Sequence, residues 1–530
     1  MISDKGSGFD VILIGGEPYA DHPLSGLGVI ARVLEAKGHK VGVIGQPDWK
    51  ADADFQKLGA PRLFFGLTAG SIDSMLVNYT PLKRKRAKDE HAPYRSGMPD
   101  RAVLVYANKI RRLFPGVPIV LGGIEASLRR FAHYDYWENK VRRSLLLDSR
   151  ADILVYGPGE LQAIEIARRL DKGEDLAGIR GTCIVRKKFP PSFEEIPSYE
   201  DVASNPDAFC RAQNAFSNRR SLSQKHAERY VLQYPMPDYM PADLDWIYGL
   251  PFSRSVPAHF PEFKMAQFSV VTHRGCLGRC SFCALALHQG DRIVSRSEKS
   301  ILDEIRRLTR HPDFKGYIDD LGGPTANMYG MDCDTAEGCE NPCLECGHSE
   351  RSHRRLIALM RKARWIPGIK KIFVRSGIRY DLAMDSEEYL RELSEHHLSG
   401  LLKIAPEHVS PEVLRRMNKN LPPLEDFRRV FKDINKGRKQ HLKYYFMVAH
   451  PGSGPKEARE LAREVRRLEK EGEKPVEGVQ IFTPTPMTVS TCMYHTGLDP
   501  ATGEKVYVPR TFTEKKEQKR MLGSAPDKSG

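Results

Sequence analysis

The sequence predicts an α/β protein in which a doubly wound parallel sheet is followed by a partial (β/α)6 barrel. Two alternations carry this expectation. Five short apolar runs alternate with helix-compatible stretches between residue 9 and about 185, and six more do so between 266 and 482. In the second series the text after each run is small or polar, as at the functional rim of a barrel.

The first series is FDVILIGG, HKVGVIG, RLFFGLT, VPIVLGG and ADILVYG, with helical stretches at 26 to 38, 100 to 114 and 160 to 171. This is the Rossmann-like domain, residues 1-185. Ligands of such sheets sit at the carboxyl ends of the strands, here Gly15-Gly16-Glu17, Gly122-Gly123-Ile124-Glu125 and Gly157-Pro158-Gly159-Glu160. These glycines cradle a ligand or simply make tight turns. No G-x-G-x-x-G follows the first strand, so a dinucleotide site is not supported.

Residues 186-262 are rich in proline and aromatics (FPPSFEEIPSYED, QYPMPDYMPADLDW), and read as an irregular connector packed over its neighbours. The barrel is placed at 263-490, with strands at 266 to 271, 316 to 321, 370 to 375, 400 to 405, 443 to 449 and 477 to 482. Helices are expected at about 297 to 310, 349 to 364, 384 to 397, 424 to 437 and 455 to 472. A Cys-rich insertion at 328-350 interrupts the barrel, and 491-530 is a C-terminal extension with a basic tail.

The chain of 530 residues has 82 Lys plus Arg against 68 Asp plus Glu, net +14, with 40% hydrophobic and 28% charged residues. This excludes disordered, collagenous and membrane classes. No apolar run approaches the roughly 18 residues that span a bilayer, and MISDKGSGFD lacks the apolar middle of a secretory signal. The expected address is the cytoplasm. Lys83 to Arg86 and the tail from Arg510 to Arg520 are basic enough to meet phosphates, but a solvated face is the preferred reading.

Seven of the ten cysteines fall between Cys276 and Cys346. In a reducing compartment such crowding reads as metal chemistry. RGCLGRCSFC sets Cys276, Cys280 and Cys283 at C-x3-C-x2-C spacing directly after the first barrel strand. Three thiolates in eight residues wrap one iron–sulfur cube and leave its fourth iron without a cysteine from this loop. Gly275 and Gly278 permit the tight path and free backbone amides to point at the sulfurs, and Phe282 shields the cube. A zinc loop or three buried thiols is the bland alternative.

This triplet, with an aromatic before its last cysteine and a βα barrel behind it, resembles the radical S-adenosylmethionine (SAM) superfamily. RGCLGRCSFCALALHQGDRIVSRSEKSI, DLGGPTANMYG, SGIRYD, LKIAPEH and AHPGS resemble its YgiQ-type branch, an uncharacterised group. The resemblance implies a 4Fe-4S cluster on Cys276, Cys280 and Cys283, with SAM chelated at the open iron. One electron then yields methionine and a 5′-deoxyadenosyl radical that abstracts hydrogen. It also implies backbone contacts from Gly322 and Gly323 to the SAM amino group, although Pro324 stands where the superfamily has an acid. Ser376, Lys403 and Glu407 fall where ribose and carboxylate contacts are common; Lys403 and Glu407 are equally readable as an ion pair at the rim. No residue is assigned a catalytic role toward substrate. An electron donor such as flavodoxin or ferredoxin is implied.

The N-terminal region resembles the cobalamin-binding-type domain that precedes many such barrels. The D-x-H-x-x-G signature is missing; the nearest text is Asp21-His22-Pro23-Leu24-Ser25-Gly26. A domain that keeps the fold without cobalamin is therefore favoured.

Cys333, Cys339, Cys343 and Cys346 form a C-x5-C-x3-C-x2-C array suited to zinc or to an auxiliary iron–sulfur cluster. His348 or His353 could replace one thiolate. Cys183, Cys210 and Cys492 stand alone and read as buried small residues. The leading function is a radical SAM enzyme of unknown substrate. The competing readings are an RNA-modifying enzyme drawn to phosphates by basic charge and a non-catalytic, metal-stabilised scaffold.

Overall fold

The computed structural model describes residues 2–86, 97–257, 260–333, 339, 343–346, 348–473 and 479–523. Parts of the predicted Cys-rich insertion, of the connector, of the sixth barrel strand and of the C-terminal extension lie outside these residues. The chain forms two compact units. Among the described residues no helix is long and apolar enough to cross a membrane.

The first unit comprises Met1–Asp238, Leu250–Lys264 and Pro484–Glu504. Its strands are β1 (Ile2–Ser3), β2 (Val11–Gly15), β3 (Val41–Gly45), β4 (Phe64–Thr68), β5 (Ile119–Leu121), β6 (His133–Asp135), β7 (Lys140–Arg142), β8 (Ile153–Val155), β9 (Thr182–Arg186), β10 (Glu194–Ile196), β11 (Leu222–His226) and β12 (Arg229–Gln233). All but the β6-β7 hairpin join one sheet in the order β1-β3-β2-β4-β5-β8-β9-β12-β11-β10. Pairing is parallel from β1 to β8, the doubly wound half that alternation predicted. The helices Gly26–Ala36 and Glu160–Lys172 turn Leu27, Ala31 and Leu34, and Ala163, Ile166 and Ala167, onto Val11, Leu13, Val43 and Ile153. These helical residues follow the three-and-four spacing of one apolar face, and each large side chain so buried contributes about 1.5–3 kcal/mol.

The stretch expected to be an irregular connector instead extends this sheet. β9 pairs antiparallel with β8 and β12, and β12 antiparallel with β11. The prolines punctuate regular elements rather than forbid them. Pro206 opens the helix Pro206–Ala215 behind its cap Asn205, and Pro241 opens Pro241–Gly249. Proline has no amide hydrogen to lose at a helix's first turn, where that hydrogen has no partner anyway. The buried guanidinium of Arg130 ties the extension down, donating to Gln233 Oε1 at 2.7 Å and to Asn218 Oδ1 at 2.9 Å.

The second unit comprises Tyr239–Gly249, Met265–Thr483 and Lys505–Gly530. Its strands are β13 (Val270–Val271), β14 (His273–Arg274), β15 (Val294–Ser295), β16 (Tyr317–Ile318), β17 (Leu321–Gly322), β18 (Lys371–Ile372), β19 (Leu401–Glu407), β20 (His441–Val448) and β21 (Gln480–Ile481). Neighbours follow chain order, as in a partial barrel. β13 pairs parallel with β17, β16 with β18, β19 with β20 and β20 with β21. A parallel bridge between Ile378 and Ile404 links the third strand to the fourth. The second expected strand is split because Asp319 and Asp320 spend their carboxylates on the amides of Phe268, Arg375 and Ser376. The outer helices are amphipathic; Pro455–Lys470 buries Ala458, Leu461, Ala462, Val465 and Leu468.

The C-terminal extension is divided. The helix Val489–Thr496 belongs to the first unit, whereas Phe512–Met521 belongs to the second. There Gln518 Oε1 accepts from Ala449 N at 2.8 Å, and Lys515 is buried.

Candidate active site

The cysteine loop leaves β13 through Thr272 and turns at Gly275, whose φ is +87°. A Cβ there would sit 1.7 Å from the Arg292 carbonyl oxygen, so no other residue fits this turn. Cys276 N donates to Gly290 O at 3.1 Å, Ser281 N to Met417 O at 2.8 Å, and Asn418 Nδ2 to Arg279 O at 3.0 Å. The loop is thus fastened at its start and through its middle.

Cys276 and Cys280 converge on Gly278: a Cβ at that position would lie 3.5 Å from each sulfur and 2.9 Å from Arg379 Nη1. Arg379 donates to Cys280 Sγ at 3.9 Å and is braced by Asp381 at 2.7 Å. Lys419 Nζ, buried with its carboxylate, donates to Glu407 Oε1 at 2.9 Å and lies 5.9 Å from the centre of the Phe282 ring. Burial pushes the Cys283 thiol up to about 12 and also raises that of Cys280, which Lys419 and Arg379 partly offset. Phe282 meets the His450 ring edge-on at 6.3 Å, and His450 meets Phe482 at 5.1 Å, giving the loop an aromatic backing.

The turn after β17 reaches the same place. Thr325 Oγ1 is 3.5 Å from Cys276 Sγ, and a Cβ on Gly322 would stand 3.8 Å from Ser376 Cβ. The Gly322 carbonyl accepts from Thr272 N at 2.8 Å. Gly323 lies over the His273 ring, 2.6 Å from where its Cβ would be. Burial holds His273 down to about 4. Ser376 gives its hydroxyl to Asp320. Lys403 lies on β19 beside Lys443 of β20. The alternative of a rim ion pair between Lys403 and Glu407 does not form: Glu407, with φ +63° at a register shift in β19, turns to Lys419 instead.

A Radical SAM N-terminal profile matches residues 2–272, a Radical SAM superfamily profile 270–465, and a domain of unknown function 477–525. A UPF0313 protein of Methanosarcina acetivorans is 44% identical over 97% of this chain and 76% of its own length. One of Clostridium botulinum is 44% identical over 98% of this chain and 86% of its own. The chain belongs to the UPF0313 family, within the radical SAM superfamily. Among solved structures, the radical SAM methyltransferase TsrM of Kitasatospora setae, with cobalamin and a [4Fe-4S] cluster bound, aligns over 97% of this chain and 84% of its own. Its TM-score is 0.53 at 19% identity, a likeness of fold.

A radical SAM enzyme works with a 4Fe-4S cluster and SAM, and the residues gathered here fit that cluster. Thiolate-bound iron–sulfur cubes are anionic, and two buried cations, Arg379 and Lys419, stand beside this loop. Sequence reasoning missed both. Arg379 had a signal, three residues after the rim serine in SGIRYD; Lys419 had none, since it lies in MNKNLPP beyond a helix.

The second cysteine group is also drawn together. Cys333, Cys339, Cys343 and Cys346 line one cavity whose apolar wall includes Leu277 and Met331. Among the described residues no three His, Cys, Asp or Glu side chains are closed up around the position of a single ion. His348 Nδ1 is 3.2 Å from Cys346 Sγ, whereas His353 is buried and stacked on Tyr389 at 4.5 Å. Of the cysteines read as solitary, all three are buried, but Cys210 and Cys492 face each other at 3.7 Å.

In the first unit three glycines after the strands pack closely against their own chain, whereas Gly122 has open space beside it. A Cβ on Gly16 would be 2.7 Å from Ala69 O, one on Gly70 2.6 Å from the Glu17 carboxylate, and one on Gly123 2.2 Å from Thr68 Oγ1. His22 is buried, with Nδ1 accepting from Leu24 N at 3.0 Å and Nε2 3.1 Å from Arg254 Nη1. In the basic run, Lys83 donates to Trp137 O and lies over the Tyr136 ring, while Arg86 donates to Tyr79 O.

Proposed function

We propose that Cys276, Cys280 and Cys283 hold a 4Fe-4S cluster whose electron cleaves SAM to methionine and a 5′-deoxyadenosyl radical, which takes a hydrogen atom from an organic substrate. The observation that carries this is the convergence of Cys276 and Cys280, two members of the triplet, on Gly278 beside buried Arg379 and Lys419. In this reading the cysteines leave one iron for the amino and carboxylate groups of SAM. The turn at Gly322 and Gly323 offers backbone to the amino group, and Ser376 and Lys403 face the ribose and carboxylate. Glu407 positions Lys419. A low-potential one-electron donor of the flavodoxin or ferredoxin class supplies the reducing equivalent.

After anaerobic reconstitution with iron and sulfide, SAM and dithionite, the protein should release 5′-deoxyadenosine, and Cys280→Ala should release none. Equal release from both would remove the triplet from the chemistry. The reading assigns no corrin to the first unit: both ring nitrogens of His22 are engaged, and Gly16 and Gly123 at the strand ends pack closely against their own chain. Protein incubated with hydroxocobalamin should lose all visible corrin absorbance on desalting; stoichiometric retention overturns this part.

A further inference from the structure

The second cysteine group repeats the spacing of the first. Cys339, Cys343 and Cys346 stand in CENPCLEC at C-x3-C-x2-C, the interval that separates Cys276, Cys280 and Cys283 in CLGRCSFC. The difference is a fourth thiol, Cys333, which the fold brings to the same cavity as the other three. We propose that these four cysteines hold a second, fully protein-ligated 4Fe-4S cluster.

Three features of the fold support it. Spacing that lets three thiolates take three corners of a cube does so here with a donor at hand for the fourth corner, and such a cube has no vertex open to SAM. Leu277, Ile293 and Met331 stand in the cavity wall beside the four thiols, and apolar side chains at a cluster limit water there. The backbone that carries Cys333 and Cys339 is anchored as well. Asp332, next to Cys333, accepts from Ser295 N at 2.6 Å and pairs with Arg355 at 2.9 Å, and Arg292 donates to Cys339 O at 2.9 Å. Leu277, between the first two cysteines of the triplet, lies in that wall, and Cys276 and Cys343 pack against one apolar cluster. The two centres are neighbours separated by aliphatic side chains. The site stands on its own residues and holds whether or not the triplet cleaves SAM.

The test removes the first centre. Full-length protein carrying C276A, C280A and C283A, reconstituted anaerobically with iron and sulfide, should retain about four iron and about four sulfide per chain. Its dithionite-reduced paramagnetic resonance signal should be indifferent to SAM. About one zinc with no iron, or neither metal, overturns the proposal. Should that variant fail to fold, the natural chain decides. About eight iron with two signals, of which SAM perturbs one, supports it, and about four iron with a single SAM-sensitive signal overturns it.

Discussion

Arg379 is the side chain on which the proposed cluster's electronics should depend most directly. Its Nη1 sits 3.9 Å from Cys280 Sγ, and Asp381 fixes its plane. A cation beside an iron–sulfur cluster favours the reduced form, which carries one more negative charge, over the oxidised form. Arg379→Met should therefore make the potential of the SAM-binding cluster more negative by about 60 mV, a tenfold shift in a one-electron equilibrium. A redox titration followed by paramagnetic resonance measures this, and an unchanged potential with full iron content would falsify it. At this scale, legibility tracked distance along the chain. The triplet could be read because its three donors share one loop, and the same holds for Gly275 and Phe282. Arg379 and Lys419 reach the loop only through folding, and Asp320 claims the Ser376 hydroxyl from the preceding strand, a partnership no local pattern announces.

Among the elements, those with a strong period were legible and those set by pairing were not. Helices with apolar residues at three-and-four spacing, such as Gly26–Ala36 and Pro455–Lys470, formed within a few residues of expectation. The strands β10 to β12 lie in the stretch whose prolines read as breakers of regular structure. In fact these prolines fall at helix starts and in the connections, leaving LSQKH and RYVLQ free to pair residue for residue from Leu222 with Gln233 to His226 with Arg229. Gln224 and Gln233 look polar enough for a loop, yet both are buried. Gln224 Oε1 accepts from Ala132 N at 2.7 Å, and Gln233 Nε2 donates to Ser217 O at 2.8 Å. Buried amides of this kind stabilise a fold only when their partners arrive, and those partners lie far off in sequence. The barrel strands are shorter than the apolar runs suggested, for the related reason that carboxylates of Asp319 and Asp320 take over backbone partners.

For the whole molecule, the linear boundaries drawn at 185, 262 and 490 do not separate the compact units, because the chain changes unit at Tyr239, Leu250, Met265, Pro484 and Lys505. Each excursion buries something. In the first unit His495 stacks on Tyr134 at 4.4 Å and meets Phe209 at 4.9 Å, and Asn214 Nδ2 donates to Pro500 O at 2.6 Å. The same unit carries a pH dependence that can be worked out. Burial holds His133 down to about 4, and holds His226, whose Nε2 is 3.1 Å from Gln224 Oε1, down to about 3. Above the unfolded value of about 6.5 both are neutral in either state, so stability is flat. As pH falls below it, the unfolded chain takes up protons that the folded one refuses. Each histidine then removes up to about 1.4 kcal/mol per pH unit until its folded value is reached. Calorimetry of the natural protein should show the melting temperature of the first unit steady from pH 8 to 7 and falling from pH 6 to 4. His226→Gln should flatten that fall. A natural protein whose first unit melts at the same temperature at pH 7 and pH 5 would mean that these imidazoles are protonated in the fold, and that the buried surroundings of His133 and His226 hold charge.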